Sequence, residues 1–167
     1  MNLARYISED LIDLHLPPPA EPPDNPELNM QKWQQRQKEN LLETFVALLD
    51  KSGLVLHRRK LLTDLINRER QASTGLSHGV AVPHVRTRYV RDVMIAFARS
   101  SEGYEFDSVD NLPSHLFFII VSPSHIGDLH IKIYKQIAEI FSFSNAFDEL
   151  MAVEEAGEVI RILRRFE

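Results

Sequence analysis

One eight-residue run constrains the fold more than any other feature of the chain. His115 to Ser122, HLFFIIVS, is apolar on both of its alternating faces after the first residue. Successive strand side chains point to opposite sides. Such a strand needs cover above and below, the pattern of a central strand between two helical layers. The rest of the chain supplies those layers. Leu41, Phe45, Leu48 and Leu49 form one stripe of a helix predicted from Met30 to Ser52, with Gly53 as its stop. A second helix, from about Arg58 to Arg70, carries Leu61, Leu62, Leu65 and Ile66 on its buried side. A third, opened by Asp128, has Leu129, Ile133, Ile137, Ile140 and Phe141 at helical spacing. Ser144 or Asn145 starts a short helix, and Gly157 separates it from a last one with Val159, Ile160, Leu163 and Phe166. Val93 to Ser100 is a strand by its β-branched and aromatic content. Val80 to Val85 is an extended run, and Leu11 to Leu16 a short strand with Ile12, Leu14 and Leu16 on one face. These elements predict an α/β fold: a single domain over 1–167 with a mixed sheet and helices on both faces.

One segment stands outside that scheme. Pro17 to Met30 holds six of the nine prolines and no aromatic or β-branched residue. It can build neither a helix interior nor a central strand. It reads as an extended, polyproline-like surface insertion at about 17–30, against which Trp33 packs. The chain has no cysteine, which excludes a disulfide scaffold, a cysteine zinc site and a thiol nucleophile. A net charge of −5 argues against nucleic acid as a partner, which would require a basic stripe. No apolar run approaches the roughly 20 residues needed to cross a bilayer, and MNLARYISEDLIDL offers no signal-peptide core. The expected setting is the cytosol, with no membrane insertion.

The chemistry concentrates between Arg68 and Arg86, RERQASTGLSHGVAVPHVR. Gly75 and Gly79 allow close backbone approach, and Pro83 fixes the approach to His84. A neutral imidazole is a nucleophile near neutral pH. On these residues alone His84 is the leading nucleophile candidate, with a purely structural histidine as the alternative. His78 reads as an exposed loop residue and His115 as a strand-end polar group. His125 lies in the strand–helix loop, and His15 and His57 are structural or surface. Glu69, at a helix end, reads as a solvated charge. A metal cage of His78, His84, His125 and His130 has no carboxylate placed by the motif and is not expected.

The stretch STGLSHGVAVPH resembles the active-site signature of the mannitol/fructose-type enzyme IIA domains of the bacterial phosphoenolpyruvate:sugar phosphotransferase system, which include the nitrogen-regulatory IIA proteins. The Arg68-Glu69 pair precedes it at the family's spacing. HLFFIIVSPSHIGDLHIKIYKQIAEIF resembles the family's central strand and following helix, with the second family histidine at His130. The resemblance implies a phosphoryl relay with no cofactor beyond a transient phosphohistidine and no metal. His84 would accept phosphate from a phosphohistidine on an HPr-like phosphocarrier protein. His130 would stabilise the phosphate, with Arg68, Thr74, Gly75 and Gly79 supporting the site. Backbone amides around Gly75 to Gly79, or at the helix start near Asp128, could hold the phosphoryl oxygens. The acceptor would be a separate IIB component or a regulatory target protein, and the free-standing form tilts the reading toward the nitrogen-regulatory type. The alternative is a non-catalytic IIA-like interaction domain. Ser77 and Val85 replace glycines common in the family's pattern, and the proline-rich insertion replaces a short connection.

Overall fold

The computed structural model describes all 167 residues. Its organising element is the strand singled out above. β5 (Ser114–Pro123) runs antiparallel to β4 (Met94–Tyr104) on one side. On the other side it pairs in parallel with two short strands, β2 (Val80–Ala81) and β3 (His84–Thr87). β1 (Ile12–Asp13) adds a parallel edge to β4. The sheet is therefore mixed, with five strands.

Alternation along β5 divides the core in two. Phe117, Ile119 and Val121 pack toward α1 (Met30–Asp50) and α2 (Arg58–Gln71) in one cluster. Leu116, Phe118 and Ile120 enter a second cluster with α3 (Leu129–Phe143), α4 (Ala146–Ala152), α5 (Ala156–Arg164) and a 3-10 turn at Leu3–Tyr6. Both layers bury comparable apolar sets, so neither face of the sheet meets water. The Asn29 side chain caps α1 at the amide of Lys32, and His57 caps α2 at the amide of Lys60.

Three expectations are corrected in detail. The predicted strand over 11–16 shortens to Ile12–Asp13, because the Asp13 carboxylate turns back to accept the His15 amide at 2.9 Å. Its alternation breaks there: Leu14 joins one core cluster and Leu16 the other. Gly157 does not separate helices; it lies in the first turn of α5, where a Cβ would stand 2.7 Å from Glu9 Oε1. Asp128 opens α3 through its backbone carbonyl, not its side chain, which pairs with Lys132 at 3.8 Å. The proline-rich segment is exposed and without regular structure, tied at one end by the Tyr104 hydroxyl donating to the Pro17 carbonyl.

Candidate functional site

Proline builds the site by interrupting a strand. β2 and β3 follow the same edge of β5 but are separated by Val82 and Pro83. Pro83 has no N–H to give, yet its carbonyl accepts the Ile120 amide at 2.9 Å. The chain therefore resumes in register, with His84 opposite Ile120. Freed from the ladder, the Val82 carbonyl accepts from His84 Nδ1 at 2.7 Å. A carbonyl can only accept, so the neutral ring carries its proton on Nδ1 and leaves Nε2 as the acceptor nitrogen, turned toward the Arg68 guanidinium.

Beneath the strand lies a buried ionic network that holds this geometry. Glu69, expected to be solvated, is 6% exposed. Its carboxylate accepts the Thr74 amide at 2.8 Å and the Thr74 hydroxyl at 2.5 Å, and pairs with Lys38 Nζ at 3.0 Å. Lys38 is equally buried, also meets Asp107 at 3.0 Å, and lies 4.4 Å from the centroid of the Phe106 ring. The Thr74 carbonyl in turn accepts the Val82 amide at 3.0 Å. Lys38, Glu69, Thr74, Val82 and His84 thus form one continuous chain of polar contacts from α1 to the imidazole. Burying a charged pair is stabilising only when every partner is satisfied, as both carboxylate oxygens are here. The correction for Glu69 has a simple cause: a helix-end carboxylate is solvated unless the next loop folds back over it.

His130, in the first turn of α3, brings its ring to 6.1 Å from that of His84, centroid to centroid. Tyr134, one turn further along α3, stands 5.2 Å from His84. Arg68 closes the arrangement: its Nη2 is 3.4 Å from His84 Nε2, while Nη1 donates to the Ala72 carbonyl at 3.0 Å and pins the guanidinium. Burial lowers the His84 pKa, helped by the charges of Arg68 and His130 and opposed by the Val82 carbonyl. Burial also lowers that of His130, with Arg86 and Arg68 adding to it. The His130 Nδ1 is enclosed and makes no hydrogen bond. The Gly127 carbonyl favours the protonated ring without reaching bonding geometry.

A cleft of about 970 Å³ opens over these groups, lined by Arg68, His84, Arg86, Arg88, Tyr89 and His130 among others. Thr74, Gly75 and Gly79 do not line it, which corrects the idea that the glycine-loop amides hold an anion there. The Gly75 amide donates to Ser73 Oγ, the Leu76 amide to the Val80 carbonyl and the His78 amide to Asp110. Gly79 precedes His84 by five residues, roughly 16 Å along a strand. These glycines serve packing instead. A Cβ on Gly75 would stand 2.8 Å from the Phe106 carbonyl oxygen, and Gly79 (φ +80°) lies under the Phe147 ring. His125 lines a neighbouring groove, His78 is exposed, and the His115 Nδ1 meets the Ser100 carbonyl at 3.0 Å. No cluster of three or more histidine, aspartate or glutamate side chains has the spacing of a metal site.

Three contributors were not singled out by the sequence reading, and each had a signal. Lys38 falls on the face of α1 that carries Leu41, Leu42 and Phe45. Tyr134 follows His130 by one helical turn. Arg86 follows His84 at the strand period.

Architecture and cleft together define a class: an α/β domain built around a histidine presented from an interrupted edge strand. Within that class, the chain belongs to the phosphoenolpyruvate-dependent sugar phosphotransferase system EIIA 2 family, whose model matches residues 27–166. A fructose-specific EIIA component of Haloferax volcanii is 32% identical over 126 residues, covering 75% of this chain and 82% of that protein. A fructose-specific EIIABC component of Bacillus subtilis is 31% identical over 130 residues; 78% of this chain matches only 20% of that longer protein. The crystal structure of nitrogen regulatory protein IIA-Ntr from Neisseria meningitidis superposes with a TM-score of 0.79 at 29% identity, covering 96% of this chain and 97% of that one. The chain is thus a phosphotransferase-system component of the IIA type. No helix is long and apolar enough to cross a membrane.

Proposed function

We propose that His84 is the phosphoryl-accepting residue, taking phosphate from a phosphohistidine on an HPr-like carrier and passing it to a IIB component or using it as a regulatory signal. The observation that carries this is the fixed tautomer: Nδ1 is held by the Val82 carbonyl, so Nε2 offers its lone pair beside Arg68 and His130. The Nε2 lone pair forms a new N–P bond as the donor's N–P bond breaks, with the electron pair returning to the donor nitrogen. A donor ring protonated on its other nitrogen leaves as neutral imidazole. The His84 ring, keeping its Nδ1 proton, becomes the new phosphoimidazolium, so the positive charge moves with the phosphoryl group. The Val82 carbonyl steadies that charge. Arg68 and His130 supply positive charge and an N–H to the oxygens of the metaphosphate-like transition state, where positioning and electrostatics do most of the catalytic work. This scheme assigns the chain's own residues every role and calls on no cofactor.

We favour the nitrogen-regulatory use, on the near full-length likeness to the Neisseria meningitidis protein. In that use a partner's affinity differs between the two phosphorylation states, since equal affinity would give no switch.

The direct test is incubation with phosphoenolpyruvate, enzyme I and an HPr-type carrier, followed by intact-mass measurement. One acid-labile phosphate is expected on the wild-type protein and none on His84→Gln, with the variant's fold verified by circular dichroism. Label retained on the folded variant moves the site elsewhere. A wild-type chain that takes no phosphate leaves an interaction-only domain.

A further inference from the structure

The proline-rich insertion has no part in the His84 cleft, yet it walls a second cavity. Pro19 and Ala20 line a hollow of about 230 Å³ together with Trp33, Tyr104 and Pro113. A polar hollow of about 250 Å³ adjoins it, lined by Gln31, Gln34, Gln35, Lys38, Glu105 and Asp107. Gln34 and Glu105 belong to both, so the two form one groove along the N-terminal half of α1. Its size is that of a small-molecule site, which typically offers roughly 300–1,000 Å³. No residue of this groove lines the cleft over His84. The wall is held in place: the Tyr104 hydroxyl donates to the Pro17 carbonyl, and the rings of Pro17, Pro18 and Pro19 restrict the backbone there. Burial, with the charges of Glu102 and Asp13, raises the Tyr104 pKa and keeps that hydroxyl protonated.

The lining sorts into one chemistry. Trp33 and Tyr104 give flat aromatic surface, with Pro19 and Pro113 beside them. The side-chain amides of Gln31, Gln34, Gln35 and Gln37, the Glu105 carboxylate and the Trp33 indole N–H make no hydrogen bond within the protein. Each amide offers both donors and an acceptor. The one cation of the groove, Lys38, is already held by Glu69 and Asp107 at 3.0 Å each, so Glu105 is its only unpaired charge. A phosphorylated or carboxylated ligand meets a carboxylate and no free cation there. A neutral ligand with an apolar face and a rim of hydroxyls finds a partner for every part. Its C–H groups lie on the aromatic rings, and its hydroxyls exchange hydrogen bonds with the amides and the carboxylate.

We propose that this groove binds a neutral sugar, a hexose stacked on Trp33 with its hydroxyls held by Gln34 and Glu105, the two residues common to both hollows. Binding there asks nothing of His84 and stands apart from the phosphoryl-carrier reading. It gives the insertion a role, as the wall that turns an aromatic surface on α1 into an enclosed groove.

Trp33 is the only tryptophan of the chain, so its fluorescence reports on this groove alone. The full chain is titrated with glucose, fructose and mannose, and with the 6-phosphate of each. At least one free hexose is expected to change the Trp33 emission saturably, and its 6-phosphate to bind about tenfold more weakly, as the unpaired carboxylate requires. The double variant Gln34→Ala with Glu105→Ala keeps Trp33 and alters two exposed side chains. It should bind that hexose about tenfold more weakly, having lost hydrogen bonds that include one to a charged group. If no free hexose moves either the emission or the backbone amide resonances of α1, the sugar site is overturned. It is overturned equally by a 6-phosphate that binds as tightly as its parent sugar, or by full affinity in the double variant. A peptide copying Pro17–Pro23 that shifts the emission where the hexoses do not gives the groove to a proline-rich segment instead.

Discussion

The two histidines of the cleft differ in how they are held. The His84 ring is clamped from behind: its Nδ1 is committed to a backbone carbonyl, and that carbonyl belongs to the link between β2 and β3, tied through Thr74 to a buried ion pair. The His130 ring sits in the first turn of a helix with an enclosed Nδ1 that no group satisfies. A clamped ring has one tautomer and one open nitrogen, as a nucleophile requires. An unsatisfied ring can rotate or change protonation as charge develops nearby, which suits a donor to a passing anion. The contrast supports the proposed roles without appeal to position in the chain.

The contrast can be broken most severely from the clamped side. Glu69→Leu strands Lys38 in the core with only the exposed Asp107 left as a charged partner. Removing one member of a buried pair typically costs about 3–5 kcal/mol, so chemical denaturation should show a loss of that order. Adding Lys38→Met to the same variant should recover most of it, because the double change leaves no unpaired charge. In the recovered double variant the His84 ring loses a rigid support. Nitrogen-15 spectra should then show the Nδ1-protonated form mixed with its alternative. A single Nδ1–H tautomer in that variant would show that the Val82 carbonyl alone sets the proton. The next effect in size belongs to the other ring. His130→Ala should slow phosphoryl transfer by about 10²-fold, the usual consequence of losing one donor to a transition-state oxyanion, while leaving the phosphate on His84. Label that vanishes in His130→Ala and persists in His84→Ala would exchange the two roles.

What the sequence made legible follows from which interactions are local. The doubly apolar run at 115–122 and the helical stripes needed only periodicity to read, and the layers formed as expected on both faces of β5. Arg68, His84 and His130 could be singled out because a motif marks them. The fate of the Glu69 carboxylate could not be read the same way. It depends on Lys38, a residue 31 positions earlier on α1, and on a loop folding back to bring Thr74 over the helix end. The glycine loop misled for the complementary reason. Glycines mark close approach, and the pattern does not say whether a ligand or a neighbouring element comes close. Here the neighbours are the Phe106 carbonyl and the Phe147 ring. The short N-terminal strand failed because a single Asx turn at Asp13 overrode an alternation only three residues deep.

The gentlest way to sharpen the contrast is acid titration. Both rings have pKa values lowered below 6.5, with burial first among the causes and Arg68 contributing to each. Between the folded and unfolded pKa values the unfolded chain binds more protons, so stability rises with pH through that window. The contribution is complete above about 6.5 and disappears as pH falls through the lower folded values. Transfer should follow the same logic, because protonating Nε2 removes the lone pair that attacks. The acid limb of the pH–rate profile with phosphoramidate, a donor that needs no docking, should therefore lie below the pKa of a free imidazole. Arg68→Gln removes a positive charge from both rings and should move that limb to higher pH. In the histidine proton spectrum both titrations should shift in the same direction. The His84 ring, 3.4 Å from the guanidinium, should respond more than the His130 ring, for which Arg86 is the larger influence. A limb that stays in place in Arg68→Gln would mean that burial alone keeps the nucleophile neutral and that the arginine acts only on the phosphate.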